Sequence, residues 1–532
     1  MTPTFKVVVT DKVSDTGLEP LRADARFEVI KIDDSSDPAF AEALKDAHGL
    51  VVRSATKVGG EMLAQAEHLR VIGRAGVGVD NIDLEAATER GVAVVNAPAG
   101  NTVSAAELTM ALILSMVRKV SAADASMRTG AWERSSFKGV ELRGRTLGLI
   151  GAGRIGGEVA RRCAAFGMKV MAHDPYLTAE RASGLGVSRA SLDDVIEKAD
   201  VISLHVPLTD DTRGMISTET LGRMKDGAFI VNVARGGVVD EAALAQALHD
   251  GQIAGAALDV YENEPLEEGS PLREAPNIVL TPHLGASTPE AQELVAVEIS
   301  QAVRAALAEG DLSRALNAPA ISGDALKALM PLFDLGHKLG RLACALAPGG
   351  ITGVEVRYGG ESDEAVQPLT SYVLVGLLER VLGQDVVNFV SAAHLARQRG
   401  IGVSRAQLAR HKSYTEFVEV IIKGESQDFS VAGALLGEGH PRIVRIEKYH
   451  VDIVPSGALI VLKNHDVPGV IGRVGTLLGN HEINIGEYHQ SRLSRGGDAL
   501  AAIAVDADVA LDVREALLEL EEVSSAVVAR LD

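Results

Sequence analysis

The sequence predicts an α/β protein: two doubly wound parallel sheets, then an α+β segment and a small ferredoxin-like unit. Three observations carry that reading. Short apolar runs alternate with helical patterns as far as Thr281, a glycine-rich turn at Gly151 joins a strand to a helix, and the chain from Ala458 onward reads strand, helix, strand, strand, helix, strand.

Residues 6–10, 28–32, 49–53, 71–74 and 92–96 are short continuous apolar runs bounded by turn residues, the pattern of strands buried on both faces. A long helical pattern over 101–119 leads to Arg145, where a second series begins, with further strands expected at 201–205, 228–232, 255–259 and 278–281. The helix expected over 289–308 is read as returning the chain to the first lobe. The first lobe is therefore 1–98 completed by 286–316, the second is 99–285, and a cleft lies between them. Past Leu316 the texture changes. An intervening α+β unit is assigned to 317–453, with helices at 325–346 and 369–382 and strands at 352–358, 417–422 and 443–449, and the ferredoxin-like unit to 454–532.

The segment TLGLIGAGRIGGEVARRCAAFGMKVMAHDP, from Thr146, places Gly151, Gly153 and Gly156 in the pattern G-x-G-x-x-G between a strand and a helix. The first glycine permits the tight turn, the second lets backbone approach a pyrophosphate, and the third lets helix pack on strand. The helix opening at Arg154 and Ile155 aims free N–H groups at phosphates. Asp174, about 20 residues on, closes the next strand where it can accept from ribose hydroxyls, and its charge favours NAD over NADP. This is a Rossmann-type dinucleotide site.

Composition limits the alternatives. The chain has 532 residues, 46% hydrophobic and 23% charged, with a formal net charge of −20, which argues against nucleic acid or an anionic membrane as a partner. The two cysteines, Cys163 and Cys344, offer no disulfide framework and no metal spacing. MTPTFKVVVTDKV lacks the regions of a signal peptide, so a cytoplasmic location is expected.

Three later segments put polar side chains at strand ends, where open α/β sheets hold ligands. They carry Arg235 beside two glycines, Asp259 and Glu264 among acids, and His283 after a proline. Oxidation of a 2-hydroxy acid by NAD needs such a set. Neutral His283 would take the hydroxyl proton, Glu264 would orient the ring and stabilise the imidazolium, and Arg235 would grip the carboxylate and polarise the nascent carbonyl.

Here the chain resembles the D-isomer-specific 2-hydroxyacid dehydrogenases, in their long form. The resemblance rests on Gly73-Arg-Ala-Gly-Val-Gly-Val-Asp-Asn81, Asn96-Ala-Pro-Ala-Gly-Asn101-Thr, Gly151-Ala-Gly-Arg-Ile-Gly156, Asn232-Val-Ala-Arg-Gly-Gly237, Asp259-Val-Tyr-Glu-Asn-Glu-Pro265 and Pro282-His-Leu-Gly-Ala-Ser287. It implies Arg235, Glu264 and His283 as the catalytic set. It implies NAD contacts from Arg154, Ile155, Asp174, His205, Pro207, Thr212, Ala234, Asp259, Gly285 and Ala286, with His173 standing where the family usually has tyrosine. On the substrate side it implies backbone at Val77 and Gly78 for the carboxylate, and Arg53, Ser54, Arg74 and Asn101 around the substrate. Arg134 would reach in from a neighbouring subunit of a homodimer or homotetramer.

The tail, Leu462-Lys-Asn464-His-Asp466-Val-Pro-Gly469-Val-Ile-Gly472 with Asn484, resembles an ACT regulatory module. The resemblance implies Asn464, Asp466 and Asn484 as contacts for an amino-acid effector such as L-serine. For the whole chain it implies NAD-dependent oxidation of 3-phospho-D-glycerate to 3-phosphooxypyruvate, the entry to serine synthesis. Two alternatives stay open: an unphosphorylated substrate such as glyoxylate or hydroxypyruvate, and an NAD-sensing regulatory protein like the C-terminal-binding-protein corepressors.

Overall fold

Gly73 shows why the chain must cross between lobes twice. In the computed structural model, which describes residues 4–347, 349–409, 414–425, 427–437 and 439–532, Gly73 lies where a Cβ would come 2.6 Å from Val303 Cγ2 and 2.8 Å from Ile299 Cγ1. Both partners belong to the helix Pro289–Glu309, some two hundred residues later in the chain. That helix lies on a sheet of five parallel strands in the order β2-β1-β3-β4-β5, made by β1 (Phe5–Val9), β2 (Phe27–Lys31), β3 (Gly49–Val52), β4 (Val71–Arg74) and β5 (Ala93–Asn96). Thr288 caps it, accepting from Ala291 N–H, and Gly310 ends it at φ +68°.

The second sheet is also all parallel. It contains β6 (Thr146–Ile150), β7 (Lys169–His173), β8 (Ser188–Arg189), β9 (Val201–Leu204), β10 (Phe229–Asn232), β11 (Gly255–Leu258) and β12 (Ile278–Leu280), in the order β12-β11-β10-β9-β6-β7-β8. Strand β6 lies between β7 and β9, so the winding reverses there and a crevice opens beyond their carboxyl ends. The helix Thr102–Arg118 covers one face, with Met110, Ile113, Met116 and Val117 buried against Leu147, Phe229 and Val231.

Past Leu316 the helices Gly323–Leu346 and Val366–Leu382 pack on a six-stranded sheet, β14-β13-β15-β16-β17-β18. Its strands are β13 (Ile351–Gly359), β14 (Gly402–Gln407), β15 (Glu416–Gly424), β16 (Phe429–Leu436), β17 (His440–Ile446) and β18 (Tyr449–Ile453). The strand expected over 443–449 is in fact the end of β17, a turn at Glu447 (φ 51°) and the start of β18. The apolar residues on both sides of that turn hid it. The two helices approach closely because glycines meet at their crossing: a Cβ on Gly340 would lie 2.1 Å from Val373 O, and one on Gly376 would lie 2.0 Å from His337 O.

The last sheet, β20-β21-β19-β22, is formed by β19 (Ala458–His465), β20 (Ile485–Arg492), β21 (Asp498–Val505) and β22 (Val523–Arg530) and is ferredoxin-like. Its first strand begins ALIVL, apolar at every position. Alternation explains why: Ala458, Ile460 and Leu462 face the helices Val470–Asn480 and Leu511–Leu518, whereas Leu459 and Val461 join the core of the preceding unit. Among the described residues no helix is long and apolar enough to cross a membrane.

Replacing Gly340 by Val should lower the unfolding free energy by about 1–3 kcal/mol, because side chain replaces space held by backbone. A urea titration of the full chain followed by circular dichroism measures this, and an unchanged midpoint would contradict the close crossing.

Candidate active site

The glycine turn builds one wall. Gly151 has φ +94°, and a Cβ there would stand 2.4 Å from His205 O, just beyond β9. A Cβ on Gly156 would stand 2.2 Å from Gly151 O. Packing alone therefore demands both glycines. Gly153 differs: no protein atom lies within 4 Å of its Cβ position, and it is the N-cap of the helix Arg154–Ala165 with no side-chain cap. Bare backbone at a helix N-terminus is what a pyrophosphate requires. Asp174, following β7, accepts from Ala152 N–H at 2.8 Å, which ties the expected ribose acid to the same turn. These residues fit a dinucleotide without rearrangement of the turn.

The opposite wall comes from the ends of β10, β11 and β12. His283 Nδ1 lies 2.6 Å from Glu264 Oε2, and Glu264 Oε1 accepts from Tyr261 N–H at 3.1 Å. Burial works to raise the Glu264 pKa, but the hydrogen bond and charge of His283 and the Tyr261 N–H outweigh it, and the net shift is downward. Glu264 is thus held as a carboxylate, and Nε2 of His283 is left for other chemistry. The backbone of His283 sits at φ 54°, in the left-handed region. Asp259 holds it there. The fully buried Asp259 carboxylate accepts from Thr281 Oγ1 at 2.6 Å, Leu284 N–H at 2.7 Å and Gly285 N–H at 2.9 Å, while its carbonyl accepts from His283 N–H at 2.9 Å. Burial pushes its pKa up against those donors. Expected from sequence as a cofactor contact, Asp259 lines the cavity and also holds the histidine turn through these bonds.

The first lobe supplies the remaining wall. Arg235 crosses to it: Nε lies 3.1 Å from Asp80 Oδ2, and a Cβ on Gly78 would stand 1.9 Å from Arg235 Nη2. Val77 is held by Asn96, whose Nδ2 donates to Val77 O at 2.6 Å. Asp11 organises the Arg53 turn, accepting from Arg53 N–H at 2.8 Å and from Thr56 Oγ1 at 2.6 Å, and Asn81 Nδ2 donates to Arg53 O at 2.7 Å. Sequence reasoning gave no role to Asp11, Asn81, Asn96 or Asp80. Asp11 and Asn96 lie at or just past strand ends, which was the signal available, whereas Asp80 and Asn81 lie in the loop after β4. Arg74 has a buried Nε without a hydrogen-bond partner, and its pKa is lowered to about 10 by burial and then by the charge of Arg235.

A cavity of about 480 Å³ joins these walls. The structure brings to it Arg235, Glu264 and His283, with Arg53, Ser54, Arg74, Val77, Gly78 and Asn101 from the substrate side and Ile155, His205, Pro207, Ala234, Asp259, Gly285 and Ala286 from the cofactor side. His205, 2.8 Å from Ser203 Oγ through Nε2, is kept neutral, its pKa pushed down to about 4 by burial.

A family model described as the D-isomer specific 2-hydroxyacid dehydrogenase NAD binding domain matches residues 110–285, and one for the D-3-phosphoglycerate dehydrogenase intervening domain matches residues 328–447. The D-3-phosphoglycerate dehydrogenase of Archaeoglobus fulgidus is 40% identical over 531 residues, covering 99% of this chain and 100% of the relative. The chain belongs to the D-3-phosphoglycerate dehydrogenase family. The enzyme of that name from Bacillus subtilis is 39% identical over 94% of this chain and 95% of its own length. Among solved structures, D-lactate dehydrogenase from Aquifex aeolicus, complexed with NAD and lactic acid, is 32% identical with a TM-score of 0.51, covering 57% of this chain and 97% of its own. A glyoxylate reductase from Paecilomyes thermophila has 30% identity and a TM-score of 0.54 over 59% of this chain and 98% of its own. The chain is an NAD-dependent dehydrogenase with the two-lobed core of the shorter enzymes.

Some expected residues stay outside the cleft. Arg134 is exposed on a short turn, Arg134–Phe137, beside Trp132, which is 81% exposed, and does not line the cavity of its own chain. Thr212 donates from Oγ1 to Pro207 O at 2.6 Å and acts on the cleft only through that loop. The three effector residues do not gather in one chain. Asn464 pairs with Ala499 at one end of β21 and Asp466 bonds Arg492 nearby, but Asn484 bonds Asp506 Oδ2 at the other end, about 20 Å along the strand. Strands β19 and β20 are both antiparallel to β21 and so run parallel to each other, which puts the end of β19 and the start of β20 at opposite ends of the sheet.

Asp259→Asn replaces an acceptor with an NH2 facing the donors of the 284–285 turn. Turnover should fall about tenfold or more while NADH binding, followed by fluorescence, changes less. Unaltered turnover would show that the histidine turn is held by other contacts.

Proposed function

We propose that this enzyme oxidises 3-phospho-D-glycerate to 3-phosphooxypyruvate with NAD, the first step of L-serine biosynthesis. The observation that carries the reading is the charge pattern of the cleft. Arg235 stands beside His283 and the Val77–Gly78 backbone, while Arg53 and Arg74 line the same cavity from the first lobe. A substrate with two anionic ends answers both, and it offers a counter-charge to Arg74, whose pKa is lowered by burial and then by the charge of Arg235. Glyoxylate and hydroxypyruvate carry one anionic group and leave the second cationic end unanswered. The names of the full-length relatives support the same choice.

NAD, when bound at the glycine turn, would supply the hydride acceptor for oxidation at C2 of the substrate. His283 takes the hydroxyl proton on Nε2, because Nδ1 is engaged by Glu264. Glu264, ionised, fixes the ring and stabilises the imidazolium. Arg235 with the Val77 and Gly78 backbone holds the carboxylate and polarises the nascent carbonyl. Gly151, Gly153 and Gly156 shape the pyrophosphate cradle, Arg154 and Ile155 contribute helix N–H groups, and Asp174 receives the ribose. We assign 1–98 with 286–316 as the substrate lobe and 99–285 as the cofactor lobe, closing on each other to exclude water. Residues 317–453 link them to a regulatory ACT-type unit, 454–532. A serine site there takes Asn464 and Asp466 from one chain and Asn484 from another, in a cytoplasmic homodimer or homotetramer whose contact also carries Arg134 toward a neighbour's cleft.

Initial rates of NADH formation with 3-phospho-D-glycerate test the reading. Arg53→Ala and Arg74→Ala should each lower kcat/KM about 10–100-fold for this substrate and leave slow oxidation of unphosphorylated 2-hydroxy acids unchanged. Equal effects on both substrates would move phosphate recognition elsewhere, and added L-serine should suppress the wild-type rate. Asp174→Ala should narrow the preference for NAD over NADP by about tenfold, since no carboxylate then opposes the 2′-phosphate. A preference left intact would remove Asp174 from the ribose site.

A further inference from the structure

A second cavity, of about 540 Å³, lies where the helices Gly323–Leu346 and Val366–Leu382 meet β22 and the helix Leu511–Leu518. Arg341, Arg380, Arg514 and Arg530 line it against a single carboxylate, Glu379. A chain of formal charge −20 thus concentrates positive charge in one concave place. The four arginines are not equivalent. Glu379 already serves Arg341 and, at 2.8 Å, His337. Arg530 pairs with Asp508 at the exposed rim. Arg514 donates Nε to Ala526 O at 2.9 Å, which fixes the guanidinium plane and leaves its Nη groups uncommitted. Among the described residues no carboxylate lies within ion-pair distance of Arg514 or Arg380. The helix Leu511–Leu518 starts at the same wall with no side-chain cap.

We infer that this cavity binds a small polyvalent organic acid, with two or more carboxylates or a carboxylate and a phosphate on a short carbon skeleton. Arg380 and Arg514 hold it, one from each of the two units that meet here. Two planar forks suit two separated anionic groups. The remaining wall is largely aliphatic, with Leu511 and Val528 in it, and suits a carbon chain between charged ends better than an inorganic ion. The site is separate from the catalytic cleft, with which it shares no lining residue.

Calorimetric titration of the full chain carrying Arg74→Gln, whose cleft has lost one cationic end, with citrate, and separately with inorganic phosphate, tests the inference. Citrate is expected to bind once per chain, and phosphate at least about tenfold more weakly. Arg380→Gln combined with Arg514→Gln should weaken citrate about tenfold or more, whereas Arg53→Gln, in the cleft, should leave it unchanged. Leu511→Glu, which puts a carboxylate at the mouth and removes no arginine, should weaken it too. Citrate binding that survives the double variant and Leu511→Glu overturns the site. Loss in Arg53→Gln instead places the anion in the cleft and overturns it as well. No binding of citrate, or phosphate binding as tightly, overturns the assigned ligand class.

Discussion

The active cleft depends on a buried carboxylate. Asp259 sits at the end of β11 with no exposure to solvent, and it gathers Thr281, Leu284 and Gly285 around itself. A buried acid without donors would be costly, but here three donors and a backbone carbonyl contact convert that cost into a rigid turn. That turn carries His283 in a left-handed backbone conformation and sets its ring against Glu264. The last residues of this turn lead through Thr288 into the helix that returns to the first lobe. One carboxylate thus orients the candidate proton acceptor and the chain's passage between lobes.

The lobes meet through charge. Arg235 leaves the second sheet and lies on the backbone of Gly78, paired with Asp80 of the first. A side chain at Gly78 would displace the Arg235 guanidinium from this approach, whereas Gly151 must be glycine because fixed backbone of His205 forms the crevice wall beside it. Because neighbouring Arg53 and Arg74 add to the positive field, the cleft favours an acid with charge at both ends. On the proposed function, selectivity for such an acid and alignment of the reacting carbon come from the same side chains.

Beyond the catalytic lobes, the intervening and C-terminal units share one hydrophobic core, since Leu459, Val461, Leu500 and Leu531 pack with Leu339, Leu342 and Val354. The intervening unit also touches the first lobe, where Asn388 Nδ2 donates to Gly91 O at 2.9 Å and Val390 joins that lobe's core. A contiguous path of packed side chains therefore runs from the C-terminal sheet to the lobe that carries Arg53 and Arg74. Gly91, at φ +70°, leaves room for Asn388 against its backbone.

Much of this could be read from the chain alone, because the relevant physics is local. Period and punctuation placed the parallel strands of both lobes to within a residue or two, except the two-residue edge strand β8, and a strand–turn–helix–acid order marked Gly151 to Asp174 as a dinucleotide site. The candidate proton acceptor, acid and arginine were legible as polar residues at strand ends. What was not legible depends on contacts between residues far apart in sequence. Nothing near Asp11 says that it holds Arg53 and Thr56, and nothing near Asp259 says that its carboxylate gathers the 281–285 turn. The polar turn between β17 and β18 was masked by its apolar flanks. Asn464 and Asn484, twenty residues apart in the chain, fall at opposite ends of one sheet because β19 and β20 run parallel, with the helix Val470–Asn480 returning the chain between them. Sequence determined which elements form and which side chains could do chemistry. Tertiary structure alone decided which of them meet, because hydrogen bonds and ion pairs depend on distance through space, which spacing along the chain does not supply.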